Sequence, residues 1–337
     1  MDIGVVFATS TEGIAGPKLS DDRPFRDWMR DGEQAIRVLE RAGVRFLAVT
    51  HAYHNAWTHP FPLMARLAPV SGSLRLTTEI LQLPLLNPLD AAYNVTMVDH
   101  MTEGRLDVGL GIGFHPKELE AAGVTRRDRV GRFQEAVEVM RKVWSGEAVH
   151  HDGVHFRLSG VQPLLRPVQR PHPPLMGSAQ SHSAAERAAR LLDGIVVGPQ
   201  VGFSDAARLI QTYRETRAKH GRAGAGILGA WRTVIVGRDR DDAVKQGTAG
   251  GELTFKRYHE GAMQEKQMVR IHVELKEENV DEWAIAGGYR ECLEGLRRCR
   301  DEVGLNRLTC RFYNLPRDPR ARRDWLEGFG SEVIQRL

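Results

Sequence analysis

Cysteine is scarce in this chain, and its cysteines form none of the patterns typical of a disulfide framework or a zinc site. The 337 residues contain three, with no Cys-x-x-Cys pair: Cys292, Cys299 and Cys310. Long apolar runs are missing as well, since none reaches the roughly 18 residues that a membrane-spanning helix needs. Residues 2–7 have the pattern of a strand rather than of a signal peptide. We therefore expect a reduced, cytoplasmic protein without a membrane-spanning segment.

Nucleotide-binding and metal-binding motifs are also absent. There is no Walker A sequence, and Gly109, Gly111 and Gly113 do not form a dinucleotide fingerprint because Phe114 occupies the place of its last glycine. The chain has no His-Glu-x-x-His motif, and we predict no metal site. The 47 basic and 43 acidic residues leave a net charge of only +4, and no basic run is interleaved with aromatic residues. Nucleic-acid binding is therefore not expected.

What the sequence does contain is an alternation of short strands and amphipathic helices over its whole length. The pattern predicts eight strands, each followed by a helix, at residues 3–7, 45–50, 74–83, 105–111, 174–177, 195–198, 227–236 and 307–312. Eight such units favour a (β/α)8 TIM barrel over an open doubly wound sheet. We predict one domain over residues 1–337 with two insertions, a hairpin within 146–174 and a mobile lid at 239–288.

Three histidines are the candidate catalytic residues. In a barrel, the active site forms where the strands end. His51 and His54 follow the second predicted strand, and His115 follows the fourth. Imidazole exchanges or donates protons near neutral pH, so these side chains are predicted to line the pocket, with a purely structural role as the alternative. Three other histidines are predicted to lie in the solvated hairpin: His150, His151 and His155.

Further candidates for ligand contacts lie at the ends of three strands. The fourth strand ends in Gly111 and Gly113, and glycines there let the backbone approach a bound molecule closely. Glu79 interrupts the apolar third strand, where an unpaired carboxylate is costly, so we expect it to face the pocket. Ser178 and Ser181 follow the fifth strand at the start of a helix. They fit both a helix N-cap and a phosphate-binding turn, and their spacing alone leaves both open.

Four segments of the chain resemble one known family. They are LPLLNPLDAAYNVTMVDHMTEGRLDVGLGIGFHPKELEAAGV (83–124), RFQEAVEVMRKVWSGEAV (132–149), RPHPPLMGSAQSHSAAERAARLLDGIVVG (170–198) and GYRECLEGLRRCRDEVGLNRLTCRF (288–312). In this order they are similar to the bacterial luciferase-like monooxygenases. The resemblance runs from the first predicted strand to the last, and residues 239–288 are the segment that lacks a match.

The resemblance carries expectations about cofactor and assembly. It implies a barrel that binds a reduced flavin, FMN or a deazaflavin, at the carboxyl ends of its strands. It implies a homodimer that packs mainly through the second and third helices. It also implies a cis peptide between Glu79 and Ile80 behind the flavin ring. The remaining implied contacts are Gly111 and Gly113 beneath the ring and, around the phosphate, Gly177, Ser178, Ala179 and Ser181.

The chain departs from the luciferase subgroup at three places. Residues 51–53 read His-Ala-Tyr where that subgroup has Glu-His-His around its catalytic histidine. Gly111 stands at the place of its reactive cysteine, and Ile112 at the place of an arginine that contacts the flavin phosphate. We therefore expect no light emission. We expect His51 or His54 to take the place of the subgroup's catalytic histidine. Two residues are candidates to replace the arginine: Arg126 and Arg127.

The sequence thus supports a leading hypothesis and two alternatives. The leading one is a two-component monooxygenase that receives reduced FMN from a separate flavin reductase and uses O2 on a small organic substrate, with 239–288 as the lid. The first alternative is a hydride-transfer oxidoreductase of the same family that uses a deazaflavin. The second is a flavin-binding barrel without catalytic activity.

Overall fold

The computed structural model of the protein describes residues 1–8, 24–53, 59–222, 224–247, 279–316 and 318–337. Within them, no helix is both long and apolar enough to cross a membrane. The chain alternates strands and helices in these ranges as the sequence predicts.

Eleven strands form two sheets in the described residues. Most are short and almost fully buried, as in β2, whose four apolar residues are all inaccessible to solvent. Such runs are typical of parallel strands that are covered on both faces. In chain order the strands are β1 (Asp2–Ala8), β2 (Phe46–Val49), β3 (Arg75–Gln82), β4 (Leu106–Gly111), β5 (Val149–Asp152), β6 (Arg157–Val161), β7 (Leu175–Ala179), β8 (Gly194–Val197), β9 (Ile227–Val236), β10 (Ala284–Gly287) and β11 (Arg307–Phe312).

The helices pack around the outside of the larger sheet. Several begin at side-chain caps: Asn87 accepts from the amide of Leu89 before α3, and Asp318 accepts from two amides before α11. In chain order the helices are α1 (Phe25–Arg41), α2 (Pro60–Leu67), α3 (Pro88–Met101), α4 (Pro116–Ala121), α5 (Arg129–Ser145), α6 (His182–Leu191), α7 (Phe203–Lys219), α8 (240–247), α9 (Val280–Trp283), α10 (Tyr289–Asp301) and α11 (Pro319–Glu332).

The larger sheet closes into the predicted (β/α)8 barrel. Its strands pair in the order β9, β11, β1, β2, β3, β4, β7 and β8, all parallel, and β8 pairs in turn with β9. The hairpin within 146–174 is also confirmed, since β5 and β6 are antiparallel neighbours in a separate sheet. The carboxyl ends of all eight barrel strands therefore lie on one face, where a ligand site is expected.

The structure adds one strand to those that the sequence predicts. Residues 239–288 carry no clear signal for a barrel strand, and β10, which lies there, pairs in parallel with residues 233–236 of β9 outside the barrel ring. The strand was missed because its four small apolar residues, Ala-Ile-Ala-Gly, carry no alternating pattern. Helix α1 begins directly after Pro24, which is its N-cap residue. Most of the expected lid, 248–278, lies outside the described residues.

The inside of the barrel is partly charged. Asp107 on β4 accepts hydrogen bonds from Arg75 (2.6 Å) and from Arg307 on β11 (2.7 Å). The Arg307 guanidinium also lies 3.6 Å above the ring centroid of Phe46. Above this layer, small apolar groups and Trp231 fill the interior. A carboxylate buried this deeply is stable only because two cations and their hydrogen bonds compensate its desolvation.

Candidate active site

Four neighbouring strands bring most of the candidate residues to one side of the barrel's carboxyl face. The strands β2, β3, β4 and β7 are adjacent in that order. They end beside His51, Ile80, Gly111 and Ser178 respectively. We call the ends of these strands and the residues that directly follow them the mouth. The His51 imidazole thus lies at one side of the mouth. The turn that contains Ser178 and Ser181, which we call the serine turn, lies at the other side.

The middle of the mouth is apolar and tightly packed. The Ile80 side chain lies against Gly111, where an added Cβ would come 2.1 Å from the Ile80 Cδ1 atom. Gly113 has a φ of +73°, and its Cβ would come 3.0 Å from the Gln82 side-chain oxygen. The peptide bond between Glu79 and Ile80 is cis, as the resemblance to the family implies. The glycines that end β4 therefore allow Ile80 to form an apolar surface in the centre of the mouth.

His51 is buried and held by Gln82 at the end of β3. The backbone amide of Gln82 donates to the Nδ1 atom of His51 (3.2 Å), and the Gln82 side chain donates to the carbonyl oxygen of His51 (3.0 Å). That side chain also donates to the Glu118 carboxylate on α4 (2.7 Å). The His51 Nε2 atom is buried and has no hydrogen-bond partner in the described part of the chain.

The groups around His51 keep it uncharged near neutral pH. Burial, together with the nearby His59, lowers the pKa of His51 from 6.5 to about 4. The two imidazole rings are 5.0 Å apart. Burial also lowers the pKa of His59. Tyr53 packs edge-on against His51 at 5.1 Å, and burial and the Glu118 charge raise the pKa of its phenol. Near neutral pH, His51 is therefore an uncharged ring with one nitrogen that donates a hydrogen bond and one that accepts. It becomes an imidazolium only when the pH falls to its pKa of about 4.

Acidification is expected to destabilise the fold through His51. Its folded-state pKa of about 4 lies below the unfolded value of 6.5, so the folded state binds fewer protons between these values. The free energy of unfolding consequently falls as the pH drops through that window, by about 3 kcal/mol from this group. Urea denaturation of the wild type and of His51→Asn at both ends of the window measures the contribution. Equal losses in the two proteins would contradict it.

Of the other two candidate histidines, His115 lies within the described residues and His54 does not. His115 is 7% exposed and immediately precedes α4, where its backbone oxygen accepts from the amides of Glu118 and Leu119. Its ring packs edge-on against Phe114 at 6.3 Å. It lies four residues beyond the end of β4, and its catalytic role stays a prediction. His54 lies outside the described residues, so its role stays a prediction.

Glu79 does not face the mouth as the sequence suggested. Its carboxylate accepts hydrogen bonds from Trp231 on β9 and from Thr309 on β11 (2.6 Å), and its other oxygen lies 3.7 Å from Arg307. These strands lie across the barrel from β3, so the side chain points into the interior. Burial raises the pKa of Glu79, and Arg307 opposes this rise. Partners on three sides offset part of the cost of burying this carboxylate, and that cost was the reason for predicting it at the pocket.

The serine turn after β7 caps a helix. The Ser181 hydroxyl accepts from the amide of Ala184 (3.3 Å), which is the N-cap geometry that the spacing allowed. Gly177 faces α6 instead of the mouth, since its Cβ would come 2.7 Å from the Cβ of Ala188. Ala179 is buried and pairs with β8. The capped helix still presents its first amides and the positive end of its dipole to the mouth.

One arginine at this turn, Arg187, was missed by the sequence prediction. Ser178, Gly111 and Arg187 line one small cleft between β4, β7, α5 and α6. Burial lowers the pKa of the Arg187 guanidinium, and the neighbouring charges of Arg129 and Arg190 add to this effect. Arg126 and Arg127, which were expected to supply the positive charge, are exposed before α5. The sequence signal for Arg187 was a cation placed between the two pairs of buried alanines of α6.

Comparison with known proteins agrees with this architecture. The family model described as luciferase-like monooxygenase matches residues 1–307. A curated relative, protein y4wF from Sinorhizobium fredii, is 32% identical over 205 residues, which are 57% of this chain and 59% of that relative. The chain thus matches less than two thirds of that relative's length.

Solved structures share the fold over nearly the whole chain. The monooxygenase RslO1 from Streptomyces bottropensis has a TM-score of 0.81 at 21% identity, covering 100% of this chain and 99% of that one. The oxygenating constituent of 3,6-diketocamphane monooxygenase from Pseudomonas putida, solved with FMN, has a TM-score of 0.76 at 17% identity and covers 100% and 99%. An F420-dependent secondary alcohol dehydrogenase, solved with an F420-acetone adduct, reaches 0.76 at 18% identity over 99% and 98%.

At these identities the solved structures establish the fold, and the family rests on the sequence match. That match covers residues 1–307, from the first strand to the beginning of the last one. The chain belongs to the luciferase-like monooxygenase family.

Proposed function

We propose that the protein is a flavin-dependent monooxygenase that uses reduced FMN and O2 on a small organic substrate. A separate flavin reductase would supply the reduced FMN. The observation that carries the proposal is the layout of the mouth. A neutral imidazole, an apolar surface and a cationic helix terminus follow one another on β2, β3, β4 and β7. FMN has the same sequence of chemical groups, with a polar ring edge, an apolar ring face and a phosphate.

The residues at the mouth fit such a cofactor. The first amides of α6 and the guanidinium of Arg187 suit a phosphate, because both supply positive charge to an anion. Ile80 presents an apolar surface to a flat ring. The buried Nε2–H of His51 needs an acceptor that no described residue supplies. When bound, a reduced flavin provides electron transfer and oxygen activation, which the side chains of the protein cannot provide.

The protein's own contribution is then binding, orientation and the exclusion of water. The buried His51 and the half-buried Ile80 remove water from one side of the mouth. A hydrogen bond from His51 is stronger there than in water because the local dielectric constant is low. At neutral pH His51 holds its proton on Nε2, since the Nδ1 lone pair is occupied by the amide of Gln82. It therefore acts by donating a hydrogen bond.

A cofactor titration tests the proposal. Reduced FMN, reduced coenzyme F420 and reduced riboflavin are added separately to the protein without oxygen, and binding is followed by fluorescence. We expect reduced FMN to bind most tightly and, on admission of O2, to support oxygenation of a member of a panel of ketones, aldehydes and sulfonates. Failure of reduced FMN to bind contradicts the proposal.

A deazaflavin-dependent hydride transfer is the second candidate function. The F420-dependent alcohol dehydrogenase has the same TM-score as the FMN-bound monooxygenase, so the fold does not separate them. Preferential binding of reduced F420, with substrate reduction or oxidation that needs no O2, would establish this candidate instead. Membership of an oxidoreductase family speaks against a barrel without catalytic activity.

Replacing Arg187 by Met is expected to weaken binding of FMN about 10-fold or more, because a charge-assisted hydrogen bond to the phosphate is lost. Riboflavin carries no phosphate, so its affinity is expected to stay unchanged. Arg190→Met on the same helix is the matched control, because Arg190 is exposed and pairs with Glu186. Equal losses for FMN and riboflavin would show that Arg187 acts on the fold and not on the phosphate.

We also propose the homodimer that the family resemblance implies. On α3, Met97 and Met101 are 45% and 47% exposed, and they lie on one face because they are four residues apart. Exposed large apolar side chains in one patch are typical of an interface. Sedimentation analysis is expected to give a dimer for the wild type and a monomer for Met97→Lys combined with Met101→Lys. A wild-type monomer would contradict the assembly.

A further inference from the structure

Three side chains from different elements form a connected hydrogen-bond relay behind the mouth. His51, Gln82 and Glu118 are each less than 5% exposed. Gln82 contacts His51 twice, through its backbone amide to Nδ1 and through its side chain to the carbonyl oxygen. The same side-chain nitrogen donates to Glu118 at 2.7 Å. Glu118 on α4 therefore fixes Gln82, and Gln82 fixes both the backbone and the ring of His51.

This geometry determines which ring nitrogen carries the proton. A backbone amide is always a donor, so the Nδ1 atom that it contacts must be an acceptor. The neutral ring then has its proton on Nε2. Protonation of Nδ1 would set two hydrogens against each other and break the contact with Gln82. With its one lone pair occupied, His51 has no free site from which to accept a proton from a substrate.

The surroundings of His51 also favour this single state. Among the described residues, the titratable groups that face the ring are His59 just before α2, Tyr53 in its own segment and Glu118 beyond Gln82. Of these, the carboxylate of Glu118 bonds to Gln82 and the two others are neutral near pH 7. The remaining polar atom, the Nε2–H group, is buried without a partner among the described residues. A buried donor without an acceptor is unfavourable, and a bound ligand that accepts its hydrogen bond relieves this cost.

We propose that Gln82 and Glu118 are positioning residues that hold His51 as a hydrogen-bond donor to a carbonyl oxygen of a bound molecule. The identity of that molecule rests on the proposed function. A flavin ring and a ketone or aldehyde substrate both offer such an oxygen. A neutral imidazole that donates from Nε2 stabilises negative charge developing on this oxygen without transferring its proton. The relay makes His51 a fixed electrophile and excludes it as a general base.

Nitrogen-15 NMR of the histidine side chains tests the relay without any activity measurement. The His51 signals are assigned by their loss in His51→Asn. In the wild type we expect the proton on Nε2 alone at neutral pH. In Gln82→Met and Glu118→Ala we expect mixed tautomers and a rise in the pKa of His51 of about 1 unit or more. Glu118→Gln keeps an acceptor oxygen for Gln82 and is expected to retain the wild-type spectrum. A proton on Nδ1, or a wild-type pKa near 6.5, overturns the proposal.

The same Nε2 signal identifies the acceptor. It is followed as FMN is added, and then as cyclohexanone is added to the protein with FMN. A shift with FMN assigns the acceptor to the cofactor, and a shift that needs cyclohexanone assigns it to the substrate. If both bind and neither moves the signal, the donor role is wrong. If FMN does not bind while the tautomer is as expected, the proposed function fails and the positioning role of Gln82 and Glu118 stands.

Discussion

Replacing His51 by Asn is expected to lower kcat/KM for a carbonyl substrate about 100-fold, with most of the loss in kcat. The Asn side-chain oxygen reaches the position of Nδ1 and accepts from the amide of Gln82, so the backbone of the mouth keeps its hydrogen bond. Nothing in Asn reaches the position of Nε2. The variant therefore removes one buried donor that acts on charge formed during the reaction, and such a donor contributes more in the transition state than in the ground state.

Two companion variants make this experiment specific. His51→Gln places an amide nitrogen near the position of Nε2 and is expected to recover part of the lost kcat. His150→Asn is the matched control, because His150 is exposed in the hairpin. The activity of this variant is expected to equal that of the wild type. The role of His51 is contradicted if His51→Asn retains kcat/KM within about threefold of the wild type while FMN binds normally.

The fold was largely predictable because it depends on a repeated local pattern. Strand β9 and strand β11 were predicted with their observed bounds. Strand β9 is a mostly apolar run, and β11 alternates apolar with polar residues. Strand β10 was missed because Ala284–Gly287 is too short and too small in its side chains to show a period. Its place is set by pairing with β9 and by packing of the buried Trp283, which are contacts that a local pattern does not contain.

The site was predicted less well, because its groups are arranged by tertiary contacts. The position of His51 followed from its place after a strand, but nothing in the sequence indicated that Gln82 would fix its tautomer. Glu79 was expected at the pocket because a charge in an apolar strand needs a partner. The partners are Trp231 and Thr309, about 150 and 230 residues away in the chain, and they turn the carboxylate into the barrel. Sequence reasoning identified the need for a partner and not its location.

Replacing Asp107 by Asn is expected to lower the free energy of unfolding by about 3–5 kcal/mol. Asp107 is 1% exposed and accepts from both Arg75 and Arg307. The two arginines hold the pKa of Asp107 below its usual value against the effect of burial. Asn keeps the shape but removes the charge, and this leaves the Arg307 guanidinium buried with Glu79 as a more distant anion, 3.7 Å away. An uncompensated buried cation is more costly than the loss of an ordinary hydrogen bond.

Urea denaturation with comparison of midpoints and slopes measures this loss. Asp152→Asn is the matched control, because Asp152 forms an exposed pair with Arg157 and is expected to change stability by less than about 1 kcal/mol. In the double variant with Arg307→Met, the stranded cation is gone, so the double variant is expected to be more stable than Asp107→Asn alone. If Asp107→Asn lowers the free energy of unfolding no more than Asp152→Asn does, the buried charges inside the barrel do not compensate one another. The barrel then tolerates its buried arginine without a carboxylate, and the compensation inferred from the geometry is wrong.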